Sequence, residues 1–432
     1  MTPSARLSAA IEVLDDLIAR RRPASDALKD WGLAHRFAGS GDRAAIAAHV
    51  YDALRCKASS SYLMGSDTPR AILLGSLRQS RGLDAQKISA LCDGSRFAPE
   101  TLNAEERDAL QSHSLDDAPM HIRGDYPEWL DAPFAEAFGD SRSEELRALT
   151  HRAPVDIRIN TLKTDPALML GDLQHLGAAK APFSPVGLRI EQPVDGRAPN
   201  VQSEPAFQKG LIEIQDEGSQ LVAQLAAPDP GMQVIDLCAG AGGKTLALAA
   251  LMDNRGQIFA TDSDTRRLAP IFDRLTRSGA RNVQVRSPRG RDDEPLAGLE
   301  DQVDLVLIDA PCTGTGTWRR NPDAKWRLRP GALEERIKDQ ARVLDRAAHF
   351  VKRGGRIAYI TCSLLPAEND HAVEAFLQRD SRFEVMPLDE VASRAGLPAL
   401  AEHRSRHGHG LLLTPHRTKT DGFYISVLKK IA

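Results

Sequence analysis

From Gly231 onward, short apolar runs at residues 234–237, 257–261, 283–285, 303–308 and 356–361 alternate with longer segments of helical spacing. Parallel strands need a crossover between them, usually a helix, so this alternation predicts a mostly parallel sheet with helices on both faces. An open sheet of that kind binds its ligands in the crevice at the carboxyl edge of the strands. The chemistry of the chain is therefore expected just after those runs.

Upstream the pattern changes twice. Leu7, Ile11, Leu14 and Ile18 recur at helical spacing before Pro23. Asp42 suits the N-cap of a second helix carrying Ile46, Val50 and Leu54, and Thr68 followed by Pro69 opens a third over Ile72, Leu73 and Leu77. Residues 1–140 thus read as an all-helical domain, with the polar residues 111–125 as a loop or linker. Residues 155–160 alternate like a strand and are followed by segments dotted with Pro and Gly. Residues 141–215 read as a small mixed α/β subdomain, and 216–432 as the main α/β domain.

Apolar residues make up 42% and charged residues 27% of the chain, the balance of a globular protein. The longest apolar runs fall well short of the roughly 18 residues that span a bilayer. Residues 1–22 carry Glu12, Asp15 and Asp16, which is unlike a secretory signal, so a cytoplasmic monomer without membrane contact is expected. Five scattered cysteines with no C-x-x-C pair give no disulfide framework or zinc site. A net charge of −3 makes any nucleic-acid contact local rather than a general basic coat.

The run Cys238-Ala239-Gly240-Ala241-Gly242-Gly243-Lys244 follows one strand and opens a helix. Glycines there let the backbone turn tightly and approach a ligand. By itself such a turn is equally a plain strand-to-helix connection. It lacks the upstream glycine of a phosphate-binding P-loop, however, and the next strand ends at Asp262, 26 residues after Asp236, where an acid can meet a ribose diol. A nucleoside site without a phosphate cradle suggests S-adenosylmethionine. Asp262 as a simple helix cap is the competing reading.

Two further strand runs end in cysteine, at Asp309-Ala310-Pro311-Cys312 and at Thr361-Cys362-Ser363. In a parallel sheet both project into one crevice. A single cysteine is more often a small buried hydrophobe, but two at strand ends beside a ligand loop are a candidate nucleophile pair. Carbon 5 of cytosine is too weak a nucleophile to take a methyl group directly. A thiolate added at carbon 6 turns the ring into an enamine that can, and a base must later remove the carbon 5 proton. Cys312, or a water that it positions, is a candidate for that second task.

At these residues the chain resembles the Rsm/Sun/nucleolar-protein type of RNA cytosine-C5 methyltransferases, in particular the bacterial members acting on small-subunit ribosomal RNA. The resemblance rests on Arg158-Ile159-Asn160-Thr161-Leu162-Lys163, Gln215-Asp216-Glu217-Gly218-Ser219-Gln220, the glycine loop, the two cysteine segments, and Pro415-His416-Arg417 with Asp421-Gly422-Phe423. These follow in order over residues 150–430. The resemblance implies a Rossmann-like class I methyltransferase domain with a mostly parallel seven-stranded sheet. It implies Cys362 as nucleophile, Cys312 as the group assisting release, and Asp309 at the N3 and N4 edge of the base or on the cofactor. Arg36-Phe37 and Asp42-Arg43 resemble a NusB-type RNA-binding domain in residues 1–140. Two features depart from the family pattern. Ala241 stands where a proline is usual, and residues 283–285 run into Arg286-Ser287-Pro288 rather than an acid, with Asp292 and Asp293 a few residues late.

Arg319, Arg320, Lys325, Arg327 and Arg329, interleaved with Trp318 and Trp326, follow Cys312 closely. Cations beside aromatics suit a single-stranded or flipped-out RNA base, so Trp318, Arg319, Arg320, Lys325 and Trp326 are expected to contact RNA. A solvated charged loop is the plainer alternative. His403, His407 and His409 are expected in a polar loop, since no cysteine or spaced acid completes a ligand set. Rival chemistries lack their marks: there is no P-C-Q segment of a DNA cytosine-C5 enzyme and no D-P-P-Y of an exocyclic-amine enzyme. A transfer-RNA substrate and an inactive RNA-binding assembly factor are the remaining alternatives.

Overall fold

The structure is a computed structural model and describes residues 1–192, 199–290 and 293–432. Its strands are β1 (Val155–Ile159), β2 (Ala179–Lys180), β3 (Gly187–Ile190), β4 (Ile212–Ile214), β5 (Gln233–Asp236) and β6 (Gln257–Ala260). They continue with β7 (Val283–Val285), β8 (Val303–Asp309), β9 (Val351–Thr361), β10 (Phe383–Val385), β11 (Leu411–Leu413) and β12 (Phe423–Lys430). The large sheet runs β10-β12-β9-β8-β5-β6-β7, with β11 as an eighth strand against β12. β5 to β9 pair in parallel, whereas β10 and β12 turn antiparallel. The expected seven-stranded, mostly parallel sheet is thus present with one short strand added.

The sheet is parallel where the sequence is most uniformly apolar. Val234, Ile235, Leu305, Val306, Leu307, Ile308, Ile357 and Ile360 are fully buried, as expected for strands covered on both faces. The long helix Pro330–Phe350 buries Leu344 and Ala347 against one face, and Glu217–Leu225 buries Leu221 and Val222 against the other.

The N-terminal helices form their own core around Leu14, Ile46, Val50, Ile72 and Leu77. Thr68 caps its helix as the sequence predicts, accepting from the Ala71 amide at 3.3 Å. The helix expected at Asp42 is the third, after Ala24–Ala34, and starts earlier than expected, at Ser40 with Gly39 as its cap. Asp42 instead sits in the first turn and holds the Met1 ammonium at 3.1 Å and Arg6 at 2.9 Å. A carboxylate is favourable in a first turn as well as at the cap, which is why the sequence alone misplaced it.

The all-helical stretch continues beyond residue 140 to Ala148, but its last part has changed allegiance. Tyr126, Phe134, Phe138 and Leu146 pack with Trp318, Leu364 and the large sheet rather than with the first helices. The loop expected at 111–125 contains a short helix, Met120–Arg123, and ends in buried Asp125, which accepts from Ser59 at 2.7 Å. The antiparallel sheet β2-β3-β1-β4 with the helix Pro166–Asp172 makes the middle unit. Asn160 fastens it to the main domain by donating to the Ser278 carbonyl, and to that of Gly210 in its own unit, both at 2.8 Å.

Candidate active site

The parallel register brings the strand ends together. Asp236 lies level with Leu307 and Ala260, and Asp309 with Ile360, so the residues that follow all emerge on one edge. That edge collects the glycine loop, Asp262, Asp309, Cys312 and Cys362.

Gly240 and Gly242 have φ of +49° and +83°, a region that L side chains rarely adopt. At Gly242 a Cβ would also come within 2.5 Å of Ile271 Cγ1. The Ala241 carbonyl accepts from Arg274 at 2.9 Å, and Arg274 is itself paired with Glu213 of β4, so the middle unit helps to hold the loop. Asp262 is buried. Its two oxygens accept from the amides of Gly240 and Asp264, each at 2.9 Å, so it shapes the loop directly.

Asp236 is fully buried, with one oxygen taking the Thr245 hydroxyl at 2.6 Å and the other without a hydrogen-bond partner. Burial, with help from neighbouring Asp309, pushes its pKa up to about 7. Lys244 binds Asp309 at 2.7 Å and lies 5.2 Å above the Phe423 ring. Asp309 is 37% exposed while Lys244 is buried, so the pair presents a carboxylate, and not an ammonium, to the opening.

The two sulfurs are 3.3 Å apart. Contact with Cys362 and burial raise the Cys312 pKa well above the ordinary thiol value, which favours its protonated form. The loop around them is braced by Glu368. One of its oxygens accepts from the Thr313 amide at 2.8 Å and from Gln340 at 3.0 Å, and the other takes the Thr313 hydroxyl. Thr315 donates to or accepts from Ser363 at 3.2 Å and receives the Leu364 amide at 2.8 Å. Gly316 donates to the Cys362 carbonyl at 2.9 Å. Sequence reading missed Glu368, Gln340 and Thr313, because these braces come from three segments whose proximity only the fold creates.

The segment expected to hold RNA is mostly interior. Trp318 is 1% exposed and meets the Phe134 ring edge-on at 5.9 Å. Arg319 and Arg320 both bind Asp421, and Arg320 also binds Asp216 at 2.8 Å. Lys325 is buried with its ammonium on the Arg55 carbonyl at 3.0 Å, and Trp326 donates to the Leu54 carbonyl at 2.7 Å. Trp318, Arg319, Arg320 and Lys325 spend their side chains inside the fold, which corrects their reading as RNA contacts, whereas Trp326 stays partly exposed at the junction with the helical domain. A stretch of cations and aromatics serves a domain junction as well as a nucleic acid when carbonyls and carboxylates lie opposite. His409 pairs with Glu374 at 2.9 Å, His403 is half-buried, and His407 and His371 both approach Glu136. The third-strand position is filled by Arg286, whose guanidinium lies 4.5 Å above the Phe259 ring. Asp292 lies outside the described residues.

A family described as 16S rRNA methyltransferase RsmB/F matches residues 223–429, and its ferredoxin-like domain matches residues 126–197. A "Probable ribosomal RNA small subunit methyltransferase B" of Synechocystis is 31% identical over 358 residues, covering 81% of this chain and 77% of that protein. The chain belongs to the RsmB/F family. The ribosomal RNA small subunit methyltransferase B of Citrobacter koseri is 33% identical over 71% of this chain and 66% of its own length. The solved structure of PH0851 covers 100% of this chain and 99% of its own, with 25% identity and a TM-score of 0.73. The family match at 126–197 begins where the packing of Tyr126 and Phe134 leaves the N-terminal core. No described helix is long and apolar enough to cross a membrane.

The cofactor of this RsmB/F methyltransferase is S-adenosylmethionine. The crevice fits that group on its own evidence. It offers a loop with two left-handed glycines, three acids gathered at the strand ends and an unpartnered buried carboxylate oxygen.

Proposed function

We propose that this chain transfers a methyl group to carbon 5 of a cytosine in RNA, ribosomal RNA being the substrate class, with Cys362 as covalent nucleophile. The observation that carries the reading is the pair of sulfurs 3.3 Å apart at the ends of adjacent parallel strands, beside the Lys244 and Asp309 pair. The names of its relatives supply the RNA class.

The Cys362 sulfur adds to carbon 6 and the ring electrons pass to carbon 5. S-adenosylmethionine supplies the methyl group that carbon 5 then takes. Asp309, held in place by Lys244, faces the N3 and N4 edge of the base and steadies the ring during addition. Carbon 5 next loses its proton to a base, and the sulfur–carbon 6 bond breaks to return the thiolate. Cys312 assists this last step. In contact with Cys362, it is placed to hold the water that accepts the carbon 5 proton as the sulfur leaves. Cys238, Ala239, Gly240, Ala241, Gly242, Gly243, Lys244 and Asp262 line the cofactor side.

The two cysteines separate in one experiment. Cys362→Ala should give neither methylation nor a covalent adduct with RNA. Cys312→Ala should still add and methylate but stall at elimination, so a denaturant-resistant protein–RNA adduct accumulates on a gel. An adduct from Cys362→Ala and none from Cys312→Ala would exchange the two roles. Bisulfite sequencing of RNA from cells with and without the chain identifies the cytosine, and a modified transfer RNA would replace the ribosomal substrate.

A further inference from the structure

We propose that the groove between the N-terminal helices and residues 323–329 binds the phosphodiester backbone of the RNA substrate. The proposal rests on the function given above and deepens it. The groove is a cavity of about 620 Å³ formed by the end of the helix Pro3–Arg20, the link between Ser40–Arg55 and Lys57–Met64, and the Pro322–Arg327 helix.

Its walls are cationic and its floor is apolar. Arg21, Arg22, Lys57, Arg327 and Arg329 face it, against Asp323 alone, while Leu17, Ile18, Leu54 and Trp326 form the base. Two of the cations are already matched: Arg22 bridges Asp16 and Asp30, and Arg327 binds Asp323 at 2.9 Å. Arg21, Lys57 and Arg329 make no ion pair among the described residues. Lys57 has its ammonium 5.4 Å over the Trp326 ring, a position that keeps it at the groove rather than in bulk water.

A chain of net charge −3 that concentrates unmatched cations in one open cleft has built a local anion site. An RNA strand is the occupant that the charge and the connectivity favour. The Pro322–Arg327 helix and Arg329 continue directly from the loop that carries Cys312, through the buried Trp318 to Arg320 stretch. A strand delivering its base to the crevice can therefore be gripped by the same segment that frames the sulfurs. The interior half of that segment fixes the junction, and its exterior half meets the backbone.

The test uses the full chain with Arg21→Glu, Lys57→Glu and Arg329→Glu combined, and in parallel with Gln at the same positions. Affinity for a small-subunit ribosomal-RNA transcript is measured across a salt series, with cofactor affinity and thermal melting as controls. The Gln variant should bind RNA at least 10-fold more weakly, with the slope of log affinity on log salt reduced by about 2–3, the value for three phosphate contacts. The Glu variant should bind more weakly still, and cofactor affinity should stay unchanged. An unchanged salt slope in the folded Gln variant overturns the groove while leaving the adduct assay for Cys362 and Cys312 untouched. Wild-type binding to polyglutamate as tight as to the transcript, lost in the same variants, would also overturn it by assigning the groove to an acidic protein. Normal RNA affinity with no adduct in either cysteine assay would instead sink the chemistry and keep the groove.

Discussion

The carboxyl edge of the large sheet and the junction around Asp421 are equally rich in charge, and they use it in opposite ways. At the junction Asp421 takes both Arg319 and Arg320, Asp216 takes Arg320 and the Asp421 amide, and Arg319 and both carboxylates are enclosed. At the edge, Asp309 stays 37% exposed beside Lys244, Asp236 keeps an oxygen without a partner, and two sulfurs touch each other. A group whose bonding capacity is spent holds the fold. One whose capacity is left over can meet a substrate. Density of charged residues in the sequence does not distinguish these cases, because the distinction lies in what stands opposite.

The sharpest way to break that contrast is to remove one carboxylate from each region. Asp421→Ala strands Arg319 in the interior, and breaking a buried pair from one side costs about 3–5 kcal/mol. Thermal and denaturant unfolding should register that loss. Asp309→Asn leaves an oxygen for the buried Lys244 ammonium and should cost less in unfolding than Asp421→Ala, while methylation collapses. Equal stability losses would show that the edge is as structural as the junction.

A smaller effect is expected inside the edge itself. Asp262 shapes the glycine loop through the Gly240 amide and has lone pairs left for a ribose. Asp262→Ala should weaken cofactor binding by about 1.5–3 kcal/mol in calorimetry, the worth of a hydrogen bond to a charged group. Unchanged affinity in a folded variant would reduce Asp262 to a brace of the loop.

These cases mark how much was legible in the sequence. The parallel strands, the glycine turn and the strand-end cysteines were readable because each is a local pattern that one fold rule carries to one edge. Gly242 is a case in point: its position after a strand signals a turn before any neighbour is known. Trp318 and Lys325 were misread because their fate depends on Phe134 and on the Arg55 carbonyl, more than 180 residues away in the chain. Glu368 was invisible for the same reason. Asp42 failed more mildly, by three positions along one helix, since first-turn and cap sites both favour an acid.

The gentlest test concerns the unspent oxygen of Asp236. Burial raises its pKa in the fold from the ordinary 3.8 to about 7, so between those values the folded chain holds a proton that the unfolded chain has released. Stability from this group therefore falls as pH rises from about 4 to 7, by at most about 1.4 kcal/mol per pH unit, and is flat below and above that window. The protonated acid is the form that fits a buried site whose other neighbours, Asp309 and Asp262, are also acids. Asp236→Asn imitates that form at every pH and leaves an oxygen for the Thr245 hydroxyl. In urea unfolding the stability gap in favour of the variant should widen as pH rises from about 4 to 7 and stay constant above that window. Parallel stability curves across the range would mean that Asp236 is ionised in the fold, with its charge met at the strand edge by Lys244.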